Sequence, residues 1–202
     1  MTPHLKQLIQ QRLQIDRCII DGLLTEYNRR TIVFTGVKAA YGWLGNMSAF
    51  PIEYNGNLHW TSEHLFQFLR FEKHPHIQAL ILKNPKPRLV RNPLKGAKRT
   101  ARDNKKLLNR GAKWDEAEDD IPRMRLCLEL KLEQHPKLKM WLLNTRDAEL
   151  IEDCTARPRE SALFWGKVFN EESGTWSGRN VLGTLWMDLR SELQVNPEKR
   201  FL

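Results

Sequence analysis

Trp60-Thr61-Ser62-Glu63-His64-Leu65-Phe66-Gln67 decides how the rest of the chain is read. Thr61 or Ser62 offers a hydroxyl to the free N–H groups of a first helical turn, so the stretch opens a helix. Glu63 then lies in that turn, where the helix dipole favours an anion. At about 100° per residue, Glu63, Gln67 and Arg70 share one stripe, and Leu65, Phe68, Leu69 and Phe71 share another. The helix therefore has a core face and a narrow polar face. A carboxylate, an imidazole and an amide within two turns, among aromatic residues, read as the edge of an active site. The competing reading makes Glu63 an ordinary first-turn acid on a solvated stripe.

Upstream, Phe50-Pro51-Ile52-Glu53-Tyr54 and Asn57-Leu58-His59-Trp60 flank Asn55-Gly56, the pattern of two short strands about a tight turn. Tyr41-Gly42-Trp43-Leu44-Gly45-Asn46 is a loop by its glycines and aromatics. Thr31-Ile32-Val33-Phe34 is a short β-type run. Residues 3–29 carry apolar residues at three- and four-residue steps and read as a helix.

Downstream, residues 77–82 read as a short apolar helix. A basic block follows as one or two short helices interrupted at Pro93 and Gly96. Residues 122–134 read as a helix with a wide apolar arc, and Lys131 falls inside it. That ammonium either snorkels to the surface or points into a cleft to hold an anion. Residues 138–143 continue as helix, and Glu149 to Cys154 is a short ordered stretch. Residues 155–180 read as a long loop. Asn180 is placed to cap a last helix with an apolar face, and the tail after Pro197 reads as frayed. The balance is α+β, mainly helical, in one compact domain with a small sheet and an extra N-terminal helix. The boundaries are 1–30 for the helical extension, 31–195 for the domain and 196–202 for the tail.

Composition narrows the function classes. The chain has 202 residues, 41% of them hydrophobic, enough for one substantial core. No apolar run has the length of a membrane span and no signal peptide is visible, so a cytoplasmic location is expected. Cys18, Cys127 and Cys154 are far apart and form no CxxC, which argues against a disulfide frame or a cysteine-based zinc site. His74 and His76 alone are a weak metal signal, and no metal is expected. The net charge is +9, and residues 83–113 hold twelve Lys or Arg against one acid, Asp103. Such a block suits a phosphate-rich partner, with a solvated helical surface as the bland alternative.

Four segments together resemble one family, the NADAR proteins or YbiA-like N-glycosidases. They are Tyr41-Gly42-Trp43-Leu44-Gly45-Asn46 with Phe50-Pro51-Ile52, Thr61-Ser62-Glu63-His64 with Phe66-Gln67, Trp165-Gly166, and Gly178-Arg179-Asn180-Val181-Leu182-Gly183 with Met187-Asp188-Leu189-Arg190. Met124 and Lys131-Leu132-Glu133-Gln134-His135 look similar too. The resemblance covers roughly residues 31–194. It implies a mainly helical single domain that hydrolyses an N-glycosidic bond without a cofactor. Family substrates include phosphorylated riboflavin-pathway intermediates and ADP-ribose joined to guanine in nucleic acid. The chain departs from the pattern at Ala162, where the family carries an aspartate. Glu160 is the candidate replacement, with Asp153 as another.

The residues suit that chemistry. Breaking a ribose–nitrogen bond develops positive charge at the anomeric carbon, which a carboxylate beside the ring stabilises while it orients water. Glu63 is the candidate for that role. Gln67 is placed to bind sugar hydroxyls, with His64 beside it. Tyr41, Trp43, Trp60 and Trp165 are candidate platforms for the base, although each aromatic alone is more often core. Lys98, Arg99 and Lys131, or the N–H groups around Gly178 and Asn180, are candidate phosphate contacts, and Gly166 beside Trp165 is a further substrate-binding candidate. Asn46 resembles the family's loop asparagine and is expected to position the ligand. Asn180 also reads as a plain cap, and Arg190 as a surface or structural ion-pair partner. The expected partner is an ADP-ribosylated nucleic acid or a phosphorylated nucleotide-like substrate. A module that binds such a ligand without turnover is the alternative.

Overall fold

The computed structural model describes residues 31–83, 94–108 and 119–201. Strand β1 spans Thr31–Phe34, followed by a 3-10 turn at Gly42–Leu44, the strands β2 (Ile52–Tyr54) and β3 (Asn57–His59), and helix α1 (Ser62–Leu69). Then come α2 (Pro75–Leu82), α3 (Leu94–Asp103), a 3-10 turn at Lys105–Leu107, α4 (Asp120–Gln134) and α5 (Lys137–Leu143). Strand β4 (Glu149–Glu152), α6 (Glu160–Trp165), strands β5 (Val168–Asn170) and β6 (Thr175–Ser177), and α7 (Val181–Val195) complete the order. The fold is α+β and mainly helical, as expected. Among the described residues its strands form three separate two-stranded sheets where one small sheet was expected.

The β2–β3 hairpin turns at Asn55 and Gly56, with φ of 48° and 71°. These are the left-handed values a two-residue turn of this hand requires. The hairpin feeds α1, which Thr61 caps from an extended conformation: its Oγ1 accepts the His64 N–H at 3.1 Å. Every residue from Ser62 to Gln67 is buried, the polar ones included, so the solvated-stripe reading of Glu63 does not hold.

Strand β1 pairs in parallel with β4, Thr31 opposite Glu149 and Phe34 opposite Glu152. Helix α7 lies directly on β4. A Cβ at Gly183 would sit 2.1 Å from the Leu150 carbonyl oxygen, so only glycine allows that approach. Around this pair, Leu44, Leu65, Leu128, Leu132, Leu182 and Trp186 belong to one continuous core that α1, α4 and α7 enclose. A second cluster of Phe71, Ile77, Ile81, Ala97 and Ala101 fastens α2 and α3 to the end of α1.

Four expectations need correction or fall outside the structure. Gly96 does not interrupt the basic segment; it lies inside α3. Residues 155–180 are not one loop but hold α6 and the β5–β6 hairpin. The segment after Pro197 is anchored: the Lys199 ammonium donates to Glu192 at 2.8 Å, and its carbonyl accepts from Lys139 at 3.0 Å. The expected helix at 3–29, and with it the 1–30 extension, lies outside the described residues. Among the described residues no helix is long and apolar enough to cross a membrane.

Candidate active site

Glu63 is 3% exposed, and three groups hold its carboxylate. Asn46 Nδ2 donates to Oε2 at 2.7 Å, and Gln67 Nε2 donates to Oε1 at 2.8 Å. Lys98 Nζ, from α3, stands 3.3 Å from Oε1, and the carboxylate holds that ammonium above its ordinary pKa. The network continues behind α1. Arg70 Nη1 donates to Gln67 Oε1 at 3.1 Å, and Arg70 Nε pairs with Asp120 at 3.1 Å. Asn46 from the preceding loop, with Gln67 and Arg70 from successive turns of α1, thus orient one carboxylate through two layers of hydrogen bonds. Orientation of this kind is what charge stabilisation at a reacting centre needs.

The loop that carries Asn46 is held by its carbonyls. Trp43 O and Gly45 O accept from Lys131 Nζ, Leu44 O accepts from Trp186 Nε1 at 2.8 Å, and Asn46 O accepts from the Glu63 N–H at 2.8 Å. Lys131 also donates to Ser48 Oγ at 2.8 Å, and its ammonium lies over the rings of Phe50 and Trp186. Lys131 is fully buried, and burial pulls its pKa down to about 7. Gln134 and His135 finish the clasp. Gln134 bonds both backbone groups of Glu53, and His135 Nε2 donates to Pro51 O at 2.7 Å. The end of α4 therefore fixes residues 43–53.

A NADAR domain model matches residues 33–194. The chain is 32% identical to the N-glycosidase YbiA of Escherichia coli (strain K12) over 164 residues, 81% of this chain and 89% of that one. The Shigella flexneri N-glycosidase YbiA matches with the same identity and coverage. The NMR structure of the E. coli protein YbiA superposes with a TM-score of 0.62 at 30% identity, covering 86% of this chain and 90% of that one. The chain belongs to the NADAR family. It is a NADAR enzyme related to the N-glycosidase YbiA.

In this NADAR protein the other sequence candidates fall in several places. Tyr41 and Trp43 line an open hollow of about 270 Å³ with Ala40, Trp141 and Asn144. Trp43 itself is nearly buried, packed edge-on against Trp141 and Trp186 at 5.8 and 5.9 Å. Trp165 packs edge-on against Phe66 of α1 at 5.5 Å, and Trp60 is half-buried beside the Thr61 cap. Arg99 is exposed and pairs with Asp103 at 3.6 Å.

His64 faces away from Glu63's partners. Its Nε2 must donate to the Ile81 carbonyl at 3.0 Å, so its Nδ1 accepts from His59 Nδ1 at 3.2 Å. That leaves His59 Nε2 buried without a partner among the described residues. Burial, with the His64 charge added, lowers the His59 pKa to about 4, and burial lowers His64 as well.

Asn180 stands at the start of α7 with φ 55°, but its side chain makes no cap. It ties the helix to β4 instead: Nδ2 donates to Leu150 O at 2.8 Å, and Oδ1 accepts the Glu152 N–H at 3.1 Å. Gly178, at φ 136°, packs on Gly166; a Cβ there would lie 2.4 Å from the Gly166 carbonyl oxygen. Arg190 is buried and donates to Thr145 Oγ1 at 2.8 Å, a hydrogen bond to a hydroxyl where a surface or structural ion pair was expected.

Of the acids offered for the missing aspartate, Glu160 stands exposed in the first turn of α6. Asp153 Oδ1 accepts the Thr155 N–H at 2.8 Å in a local turn. The acid whose charge is coupled to both Glu63 and Lys98 is Glu152, which the sequence reading passed over. Its only signal in the sequence is that it ends an apolar strand just before a loop.

Proposed function

We propose that this NADAR enzyme hydrolyses the N-glycosidic bond between a ribose and a nitrogen base, and that its substrate is ADP-ribose joined to guanine in DNA or in a nucleotide conjugate. One observation carries the reading: Glu63, a carboxylate 3% exposed and fixed by Asn46 and Gln67, faces a lysine delivered by the basic helix. An oriented carboxylate stabilises positive charge at the anomeric carbon and takes a proton from the attacking water. Water then adds as the bond to the base breaks. Gln67 and Asn46 keep the carboxylate from rotating away.

The nucleic-acid part of the reading rests on α3. Lys98 reaches Glu63 from this helix, while Arg99 and Arg102 on the same helix have side chains 74% and 73% exposed. Residues 83–113 hold twelve of the chain's 33 Lys and Arg residues against one acid, Asp103. A phosphate backbone lying along α3 would be held by these cations next to the ribose that faces Glu63. Trp60, half-buried just before α1, suits a purine face, whereas Trp165 belongs to the core.

The test is direct. The protein and its Glu63→Gln variant are incubated with an oligonucleotide bearing ADP-ribosyl-guanine and, separately, with phosphorylated riboflavin intermediates, and released ribosyl product is followed. The expected result is release from the oligonucleotide by the wild type and none by the variant, which still binds. Turnover of the riboflavin intermediates alone would move the substrate to that class. Retention of the conjugate without release would make the chain a binding module.

A further inference from the structure

We propose that Glu152 is the second carboxyl group of the site and donates the proton that the leaving nitrogen takes. This rests on the N-glycosidase reading above and adds what that reading lacks, since Glu63 accepts a proton and supplies none.

Position is the first argument. Strands β1 and β4 run parallel, and Glu152 is the last residue of β4, in register with Phe34, the last of β1. The chain leaving Phe34 becomes the loop that presents Asn46 to Glu63. The chain leaving Glu152 returns through Trp165, whose ring packs on Phe66 of α1. Both exits lead to the helix that carries Glu63.

The second argument is how firmly the residue is held. Its N–H donates to Asn180 Oδ1 at 3.1 Å, and its carbonyl accepts the Lys167 N–H at 2.8 Å. Gly166 presses against it so closely that a Cβ there would lie 2.3 Å from the Glu152 carbonyl oxygen and 3.1 Å from its Cβ. The backbone is clamped on both sides, while the side chain is only half-buried and its carboxyl group has no hydrogen bond and no ion pair among the described residues, so a ligand can reach it.

The third argument is charge. Lys98 stands 3.3 Å from Glu63 and feels the Glu152 charge as well, so one ammonium on α3 couples the acids of α1 and β4 electrostatically. Burial raises the Glu152 pKa to about 7; Lys98 lowers it and the Glu63 charge raises it further. Glu152 therefore keeps a proton where ordinary carboxyls have lost theirs. Two acids with differently tuned environments divide the work of a glycosidase between them.

The step balances. The bond between the anomeric carbon and nitrogen breaks, and its electron pair goes to nitrogen, which takes the Glu152 proton. A water oxygen bonds the anomeric carbon, and its proton passes to Glu63. Solvent then removes the proton from Glu63 and returns one to Glu152. The net reaction consumes one water and releases the free sugar and the free base.

Three measurements test this. The first is ¹³C NMR of protein labelled at its glutamate carboxyls. One resonance is expected to titrate near pH 7, to vanish in Glu152→Gln and to move down in Glu63→Gln. The second is the pH profile on the ADP-ribosyl-guanine oligonucleotide. Glu152→Gln is expected to lose kcat by about 100-fold and to lose the fall in rate above neutrality, while Glu152→Asp keeps that fall. The third uses nitrophenyl riboside 5-phosphate, whose leaving group needs no proton. There Glu152→Gln is expected to stay within about threefold of wild type, and Glu63→Gln to be inactive. A Glu152 resonance titrating below about 5, or a variant with the wild-type rate and profile on the oligonucleotide, overturns the proposal. Should the wild type leave the oligonucleotide intact, the substrate reading fails by itself, and the Glu152 resonance with its dependence on Glu63 decides this proposal. Should Glu152→Gln not fold, the Glu152→Asp profile decides in its place.

Discussion

Asn46 and Glu63 are joined twice: the Glu63 N–H donates to the Asn46 carbonyl at 2.8 Å, and the Asn46 amide donates back to Glu63 Oε2 at 2.7 Å. One bond locks the loop to the start of α1, and the other sets the carboxylate's orientation. Only the second depends on the side chain.

Asn46→Ala therefore keeps the loop and frees the carboxylate. We expect kcat to fall by about 10- to 100-fold, the size seen when an orienting partner is removed. The melting temperature should move little, because the backbone bond remains. Steady-state kinetics beside a thermal melt separate the two effects, and an unchanged kcat would remove Asn46 from the machinery.

Lys131→Met tests the buried ammonium. The substitution strips the donor from Trp43 O, Gly45 O and Ser48 Oγ, all buried. Against that loss stands relief from burying a cation, which burial has already weakened to a pKa of about 7. Several orphaned acceptors outweigh the relief, and we expect a net loss of about 3 kcal/mol in urea unfolding at neutral pH. Activity should fall further than stability alone explains, because the loop that presents Asn46 loosens.

The buried imidazole pair makes the protein acid-sensitive. His59 has a folded pKa of about 4 against an ordinary 6.5, so the unfolded chain binds the proton first as pH falls. Its contribution is whole above about pH 6.5 and drains away as pH drops towards 4. From pH 7.5 to pH 5, His59 alone should cost about 2 kcal/mol. Glu152 acts in the opposite sense over part of this window, so the comparison is between wild type and His59→Phe, where its effect cancels. The variant should lose about 2 kcal/mol less on acidification. Equal losses in the two proteins would show that the pair does not titrate this way.

Gly183→Ala is expected to damage the fold. Its Cβ would lie 2.1 Å from the Leu150 carbonyl oxygen and 2.5 Å from Asn180 Nδ2, so α7 must lift off β4 or the Asn180 tie must break. Alanine favours helices by about 1 kcal/mol over glycine, yet here the overlap is with backbone and costs about 3 kcal/mol. A variant as stable as the wild type in thermal melts would mean that α7 and β4 are not so closely packed.

Helical periodicity put Glu63, Gln67 and Arg70 on one stripe, and hydrogen bonds run along that stripe from Glu63 back to Asp120. The Asn-Gly turn and the Thr61 cap were legible for the same reason: their chemistry is local. Lys131 was legible as an anomaly, but its partners are backbone carbonyls more than eighty positions away, and a sequence does not display carbonyls. Glu152 was missed because its meaning comes from β1, which pairs with it from the far end of the domain. Helix α6 and the strands β5 and β6 are too short, at six, three and three residues, for any period to emerge.

The parallel pairing of β1 with β4 also orders events on the ribosome. Thr31 leaves the exit tunnel early, but its partner Glu149 follows only after most of the domain has been synthesised. Contacts this distant form late and slowly. A nascent chain halted before that strand would show the apolar sides of β1 and α1 to chaperones with nothing beneath them. The Asn46 loop also hangs on Trp186 of α7, so catalytic competence becomes attainable only once that last helix has emerged.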